Sequence, residues 1–267
     1  MDEGYVHGYT SREGQRLYDQ ALTLTDLLHF DTRYPPGHKV LEAGCGVGAQ
    51  TLFLARNSPD ARFVAVDISE ESLVQARHLA EAESIENAQF ELQDVNALTF
   101  ENDFFDDVFV CFVLEHRSDP VKTLLELKRV LKEGGTMTVI EGDHGSAFFH
   151  PDSETARNAI KCQINIQARS GGNANIGRSL YPLMVQAGLM NPKVTPLLVY
   201  VDDSRPALVE GFTKNTFTAM VEGVRDRVLD EKLIDLEAFD EGIRDLYRTT
   251  EPDGTFCYTF FKGRAVK

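Results

Sequence analysis

A set of acidic side chains stands around a cluster of glycines at a spacing that could hold a small charged ligand. Val40-Leu41-Glu42-Ala43 passes straight into Gly44-Cys45-Gly46-Val47-Gly48-Ala49. Glycines in such a turn let a ligand approach the backbone where a Cβ would collide, and they take φ values that other residues resist. A helix beginning just past the turn offers free N–H groups to an anion. Taken alone, Gly44-x-Gly46-x-x-Ala49 also fits a dinucleotide turn. Glu42 separates the two readings. At a strand end beside the turn its carboxylate repels a pyrophosphate and favours a zwitterion whose amino group or cationic sulfur lies near it. Asp67, closing Phe63-Val64-Ala65-Val66, is suited to accept both hydroxyls of a ribose. Asp94, after Phe90-Glu91-Leu92-Gln93, is suited to accept from the exocyclic amine of an adenine. Each acid also has an ordinary use, Asp as helix cap or turn former and Glu as a cap on local amides. An NAD-dependent oxidoreductase shares the turn and Asp67 but leaves Glu42 and Asp94 without purpose.

These residues need a parallel sheet to bring them to one edge. A strand and helix rhythm runs from Lys39 to Glu141, which predicts an α/β fold, Rossmann-like and doubly wound, with ligands at the carboxyl ends of the strands. Strands are expected over Lys39 to Ala43, Arg62 to Asp67, Ala88 to Leu92, Asp107 to Phe112 and Thr136 to Glu141. Ser69 and Asp119-Pro120 open helices. Beyond Glu141 a polar segment carries a helix from Asp152 to Ala168, in which Gln163 and Gln167 share a stripe with Ala156, Ala159, Ile160 and Ile164 and suggest a polar pocket wall. Two more strands, Lys193 to Tyr200 and Thr255 to Val266, complete a mostly parallel seven-stranded sheet. The helical stretch 202–253 between them reads as a cap inserted before the last strand, leaving 36–201 and 254–267 as the core domain and 1–35 as an N-terminal helical segment closing the site. Tyr9 or Arg12 of that segment is expected to reach the ligand's carboxylate.

Composition limits the partners. The chain has 267 residues, and 27 Lys and Arg against 42 Asp and Glu give a net charge of −15. Binding to nucleic acid requires clustered basic residues, so it is not expected. The longest apolar run, Val108 to Leu114, is far short of the roughly 20 residues that cross a bilayer. The acidic N-terminus lacks the pattern of a secretory signal, and a cytoplasmic location is expected. Cys45, Cys111, Cys162 and Cys257 are scattered, with no C-x-x-C pair; neither a metal site nor a disulfide framework is indicated.

With these residues in view, the chain resembles the class I S-adenosylmethionine-dependent methyltransferases, particularly the small-molecule group of ubiquinone and menaquinone biosynthesis. Leu41-Glu42-Ala43-Gly44-Cys45-Gly46-Val47-Gly48 is similar to that family's first motif and Val66-Asp67-Ile68-Ser69 to its second. Gln93-Asp94-Val95, Phe105-Asp106-Asp107-Val108 and Leu127 to Gly135 follow in order. The resemblance implies S-adenosyl-L-methionine as cofactor, S-adenosyl-L-homocysteine as product and a small-molecule acceptor (EC 2.1.1.-). By it, Glu42, Gly44 and Gly46 surround the methionine part, with Cys45 also among the cofactor-binding residues, Asp67 and Ile68 the ribose and adenine, Asp94 and Val95 the adenine, and Phe112 lies beneath the sulfonium. His116 and His144 are the candidates for a general base. The chain departs from the family between its last two strands, usually joined by a tight hairpin. It also has Cys111-Phe112-Val113-Leu114-Glu115-His116 where amine methylators of nucleic-acid bases carry Asn/Asp-Pro-Pro-Tyr/Phe. A protein that binds the cofactor without catalysis is the remaining alternative.

Overall fold

The structure, a computed structural model, describes residues 23–267. Tyr9 and Arg12 lie outside the described residues. Seven strands form one sheet in the order β3-β2-β1-β4-β5-β7-β6. These are β1 (Lys39–Ala43), β2 (Arg62–Asp67), β3 (Ala88–Leu92), β4 (Phe105–Cys111), β5 (Leu131–His150), β6 (Met190–Val201) and β7 (Thr255–Val266). The first five are mutually parallel, while β7 runs antiparallel to both β5 and β6. The α/β Rossmann-like class is as expected from the alternation of short apolar strands with amphipathic helices. Reversal of strand order at β1 and β4 puts a crevice at their carboxyl ends, where open α/β sheets bind ligands.

The helices α1 (Ala49–Asn57), α2 (Glu70–Ala82), α3 (Pro120–Val130), α4 (Glu154–Arg169) and α5 (Leu180–Gln186) cover the sheet. Ser69 caps α2 by accepting from Ser72 N–H, and Asp119 caps α3 by accepting from Lys122 N–H, with Pro120 at the first helical position. Both fit the preference for small polar caps and for proline where no N–H is needed. Between β6 and β7 the chain is helical again. A stretch of π-type turns, Val209–Thr218, is flanked by Pro206–Leu208 and Ala219–Glu222, then come α6 (Arg225–Asp230) and α7 (Leu236–Arg248). Alternate residues Phe256, Tyr258 and Phe260 of β7 face these helices, their rings 4.8 to 6.1 Å from those of Phe212 and Phe217. One apolar core thus runs from Leu24 and Leu28 through Phe109 and Phe260 to Val221 and Phe239.

Some boundaries differ from expectation. β4 ends at Cys111 because Phe112 has φ +57°, a left-handed conformation that no strand continues. β5 does not stop at Glu141. After a register shift past Asp143 it resumes pairing, with Phe148, Phe149 and His150 opposite Cys257, Phe256 and Thr255. The helix expected from Asp152 starts at Glu154, with Ser153 as its cap.

Candidate active site

The glycine turn joins β1 to α1. Gly44, Gly46 and Gly48 all have positive φ, and the N–H groups of Gly44 and Cys45 donate to Val66 O at 2.8 and 3.0 Å. A Cβ on Gly44 would collide with the Val113 side chain, and one on Gly48 would lie 2.9 Å from Ala76 Cβ on α2. The first glycine therefore admits close approach of the chain after β4, and the third admits α2.

Asp67, at the end of β2, pins this turn. One carboxylate oxygen accepts Gly46 N–H at 2.8 Å and the other accepts Ser69 N–H at 2.9 Å. Burial pushes its carboxyl up, and these N–H groups with Arg117 pull it back down. Each oxygen keeps a second lone pair for a ligand hydroxyl. Ile68 beside it is exposed, an apolar surface at the ligand edge. Asp94 accepts Asn96 N–H at 2.8 Å in a local turn, and Val95 is buried beneath it.

Glu42 is 2 % exposed, and its Oε2 has no hydrogen-bond partner among the described residues. Burial raises its carboxyl to about 8, with Asp67 adding to the shift and Thr51 opposing it. A carboxyl in that condition is satisfied by an incoming cation or N–H donor.

On the other side of β1 the chain leaves β4 through Phe112. Its N–H donates to Ile140 O at 2.9 Å and its ring lies 5.5 Å from that of Phe260. A non-glycine residue at positive φ marks strain of the kind found at functional sites. The turn Leu114–His116 follows. Its first amides are taken by Glu141 on β5, whose Oε1 accepts from Val113 at 3.0 Å and Leu114 at 2.7 Å, and whose Oε2 accepts from Glu115 at 3.4 Å. Glu115 in turn meets Gln167, whose Nε2 donates to its carbonyl at 3.1 Å and to its carboxylate at 3.4 Å; Gln163 donates to Gln167 Oε1 at 3.0 Å. Both glutamines are buried.

His116 Nε2 lies 3.5 Å from Glu115 Oε1. His144 sits on the extension of β5, buried, with Nδ1 3.1 Å from Tyr258 Oη and Nε2 3.2 Å from Met220 Sδ. A thioether has no proton to give, so Nε2–H faces the sulfur and Nδ1 accepts from the phenol. Burial pushes the Tyr258 hydroxyl well up, and Glu115 and Asp143 add to it. Asp143 itself is held by both guanidinium arms of Arg178, each at 2.6 Å.

Glu42, Gly44, Cys45, Gly46 and Asp67 thus lie together at the carboxyl ends of β1 and β2, with Phe112 at the end of β4 and Asp94 and Val95 just past the end of β3. Sequence reasoning missed Glu141, Glu115 and Tyr258. Glu141 had a signal, a single acid terminating the mostly apolar stretch Met137-Thr138-Val139-Ile140; Tyr258, inside a strand rich in aromatics, had none. Among the described residues no group of His, Cys, Asp or Glu could hold a metal ion, and no helix is long and apolar enough to cross a membrane.

A family model described as a methyltransferase domain matches residues 35–188. An uncharacterized 37.1 kDa protein in a transposon of Streptomyces fradiae is 32% identical over 203 residues, 75% of this chain and 57% of its own length. Demethylmenaquinone methyltransferase of Symbiobacterium thermophilum is 33% identical over 120 residues, 44% of this chain and 48% of its own. The chain spans about half the length of these curated relatives. Among solved structures, phosphoethanolamine N-methyltransferase 2 of Haemonchus contortus, in complex with phosphomonomethylethanolamine and S-adenosylhomocysteine, superimposes with a TM-score of 0.57 at 18% identity, over 93% of this chain and 52% of that one, a likeness of fold. The chain belongs to the methyltransferase-domain family, the S-adenosylmethionine-dependent class I methyltransferases.

Proposed function

We propose that this chain transfers a methyl group from S-adenosyl-L-methionine to a small-molecule acceptor, a reaction of class EC 2.1.1.-. The observation that carries this reading is the buried Glu42 carboxyl, with an oxygen lacking a partner, at the glycine turn. It fits the amino group of a zwitterionic cofactor, whose positive charge favours the ionised carboxylate, whereas a diphosphate beside it would keep the carboxyl protonated. When bound, the cofactor supplies a sulfonium methyl that an in-line nucleophile displaces. The backbone of Gly44, Cys45 and Gly46 would hold the methionine part, Asp67 the ribose, Ile68, Asp94 and Val95 the adenine, and Phe112 the face beneath the sulfur. Tyr9, in the N-terminal segment 1–35, is the candidate for closing the site.

Alignment in a dry site accounts for much of the acceleration in such a displacement. A base matters only where the nucleophile carries a proton. His116, beside Glu115, is the first candidate for that proton; His144 accepts from Tyr258 and takes a proton only in exchange for that bond. The helices of 202–253 form the acceptor-side lid, closing on β7 and on His144 through Phe217 and Met220. The acidic surface favours a small acceptor over nucleic acid, and the reaction is placed in the cytoplasm.

Calorimetric titration with S-adenosylhomocysteine and separately with NADH tests the reading. Micromolar binding of the thioether, with no heat from the dinucleotide, is expected; the reverse pattern overturns it. Deleting residues 1–16 should weaken thioether binding, and unchanged affinity would remove that segment from the site.

A further inference from the structure

Glu141 is fully buried, and among the described residues its side-chain hydrogen bonds go neither to the glycine turn nor to the acids on β2 and β3. Among the described residues, its side chain accepts from the chain just after β4. Its two oxygens take three consecutive amides, those of Val113, Leu114 and Glu115. Those residues are where the cofactor edge and the acceptor side meet. Phe112 precedes them in a left-handed conformation, Val113 covers Gly44, and Glu115 is bound by Gln167 of α4. Gly172 beyond α4 is drawn in as well, because a Cβ there would strike the Glu115 carbonyl.

We propose that Glu141 is a positioning residue for methyl transfer, its carboxylate clamping the turn 113–115 so that Val113 lies on the glycine turn and Glu115 stands against α4. The inference rests on the methyltransferase reading. A strained φ at Phe112 persists only where its surroundings hold it, and the three amide bonds with the Phe112 N–H bond to Ile140 are what hold it here. Burial pushes the Glu141 carboxyl well above the usual range, with Glu115 adding to it. A loss of stability alone would not mark this role, because removing an acceptor leaves buried N–H groups unpaired wherever it happens; a loss of ligand affinity in the folded protein would.

That contrast supplies the test. In the full chain, Glu141→Met removes the three acceptor bonds while keeping side-chain length, and Glu141→Gln keeps one acceptor oxygen. Thermal unfolding, affinity for S-adenosylhomocysteine and amide hydrogen exchange over 112–116 are measured for each. The clamp predicts that Glu141→Met melts lower because three buried N–H groups lose their acceptor, and that at a temperature where it is folded it binds the thioether at least about tenfold more weakly and exchanges faster over 112–116, with Glu141→Gln between it and the native chain. A purely structural role lowers the melting temperature equally but leaves affinity of the folded fraction unchanged. Native-like affinity in either folded variant overturns the inference, and if Glu141→Met does not fold, Glu141→Gln decides it. A native chain that binds no thioether sinks the methyltransferase reading and the inference together; one that binds it while both variants bind equally well sinks the inference alone.

Discussion

Glu42 and Gly44 show how individual residues prepare the site. With a carboxyl near 8, Glu42 is largely protonated at pH 7 in the free protein. An ammonium group arriving beside it favours the ionised form and drives the proton off. Binding of S-adenosylhomocysteine near pH 7 is therefore expected to release most of one proton, and affinity should rise with pH toward 8. Titration in buffers of different ionisation enthalpy measures this directly, and Glu42→Gln should abolish it; equal release in the variant would assign the proton elsewhere. Gly44 is a steric matter. An alanine there needs φ +73° and meets Val113, so Gly44→Ala should cost about 1–3 kcal/mol. Val113→Ala in the same chain should recover the steric part and leave the conformational part, a split that a double-mutant cycle of urea unfolding reads out.

At the scale of elements, packing overrides propensity. Gly242 lies within α7, where alanine is ordinarily better by about 1 kcal/mol. Here a Cβ would strike the backbone carbonyl of Thr155 at the start of α4, and backbone does not yield as a side chain tip does. Gly242→Ala should therefore destabilise the protein by about 1–3 kcal/mol, as measured by denaturant midpoint; a gain in stability would show that α4 and α7 are not packed this closely. The same long-range contacts explain which features were legible in the sequence. Strands β1 to β3, the caps Ser69 and Asp119 and the glycine turn are local, written in apolar runs and in residues with one preferred role. The continuation of β5 to His150 is not, because Gly142-Asp143-His144-Gly145-Ser146 has no strand pattern. It is a strand only because β7, more than a hundred residues later, pairs with it. The contacts of Glu141 and Tyr258 were hidden likewise, since their partners come from other elements, while the position of Glu42 and Asp67 at strand ends beside glycines was readable.

For the molecule as a whole, the acids gathered at the ligand edge set how stability varies with pH. A carboxyl raised by folding holds its proton in the native state after the unfolded chain has released it, so stability falls as pH rises from the unfolded value through the folded one. For Glu42 that window runs from 4.5 to about 8. His29, lowered to about 4 chiefly by burial, acts in the opposite sense between about 4 and 6.5, where the unfolded chain binds a proton that the native histidine refuses. Carboxylates lowered by ion pairs, such as Asp31 with Lys262 and Glu126 with Arg129, already contribute fully above their ordinary range. Between about pH 4.5 and 6.5 these two effects nearly cancel, so stability should stay roughly level there and then fall by about 2 kcal/mol toward pH 8, the portion of the Glu42 shift that lies in that interval. Because one core joins residues 24–28, the sheet and the helices between β6 and β7, the loss should appear as a single cooperative transition moving to lower urea concentration, followed by far-ultraviolet circular dichroism and tyrosine fluorescence together. Glu42→Gln should flatten the decline, and saturating S-adenosylhomocysteine should oppose it by holding the ionised carboxylate against its ammonium. Parallel curves for the native chain and the variant from pH 6.5 to 8 would remove Glu42 as the cause, and a separate early transition would show that the helices before β7 unfold on their own.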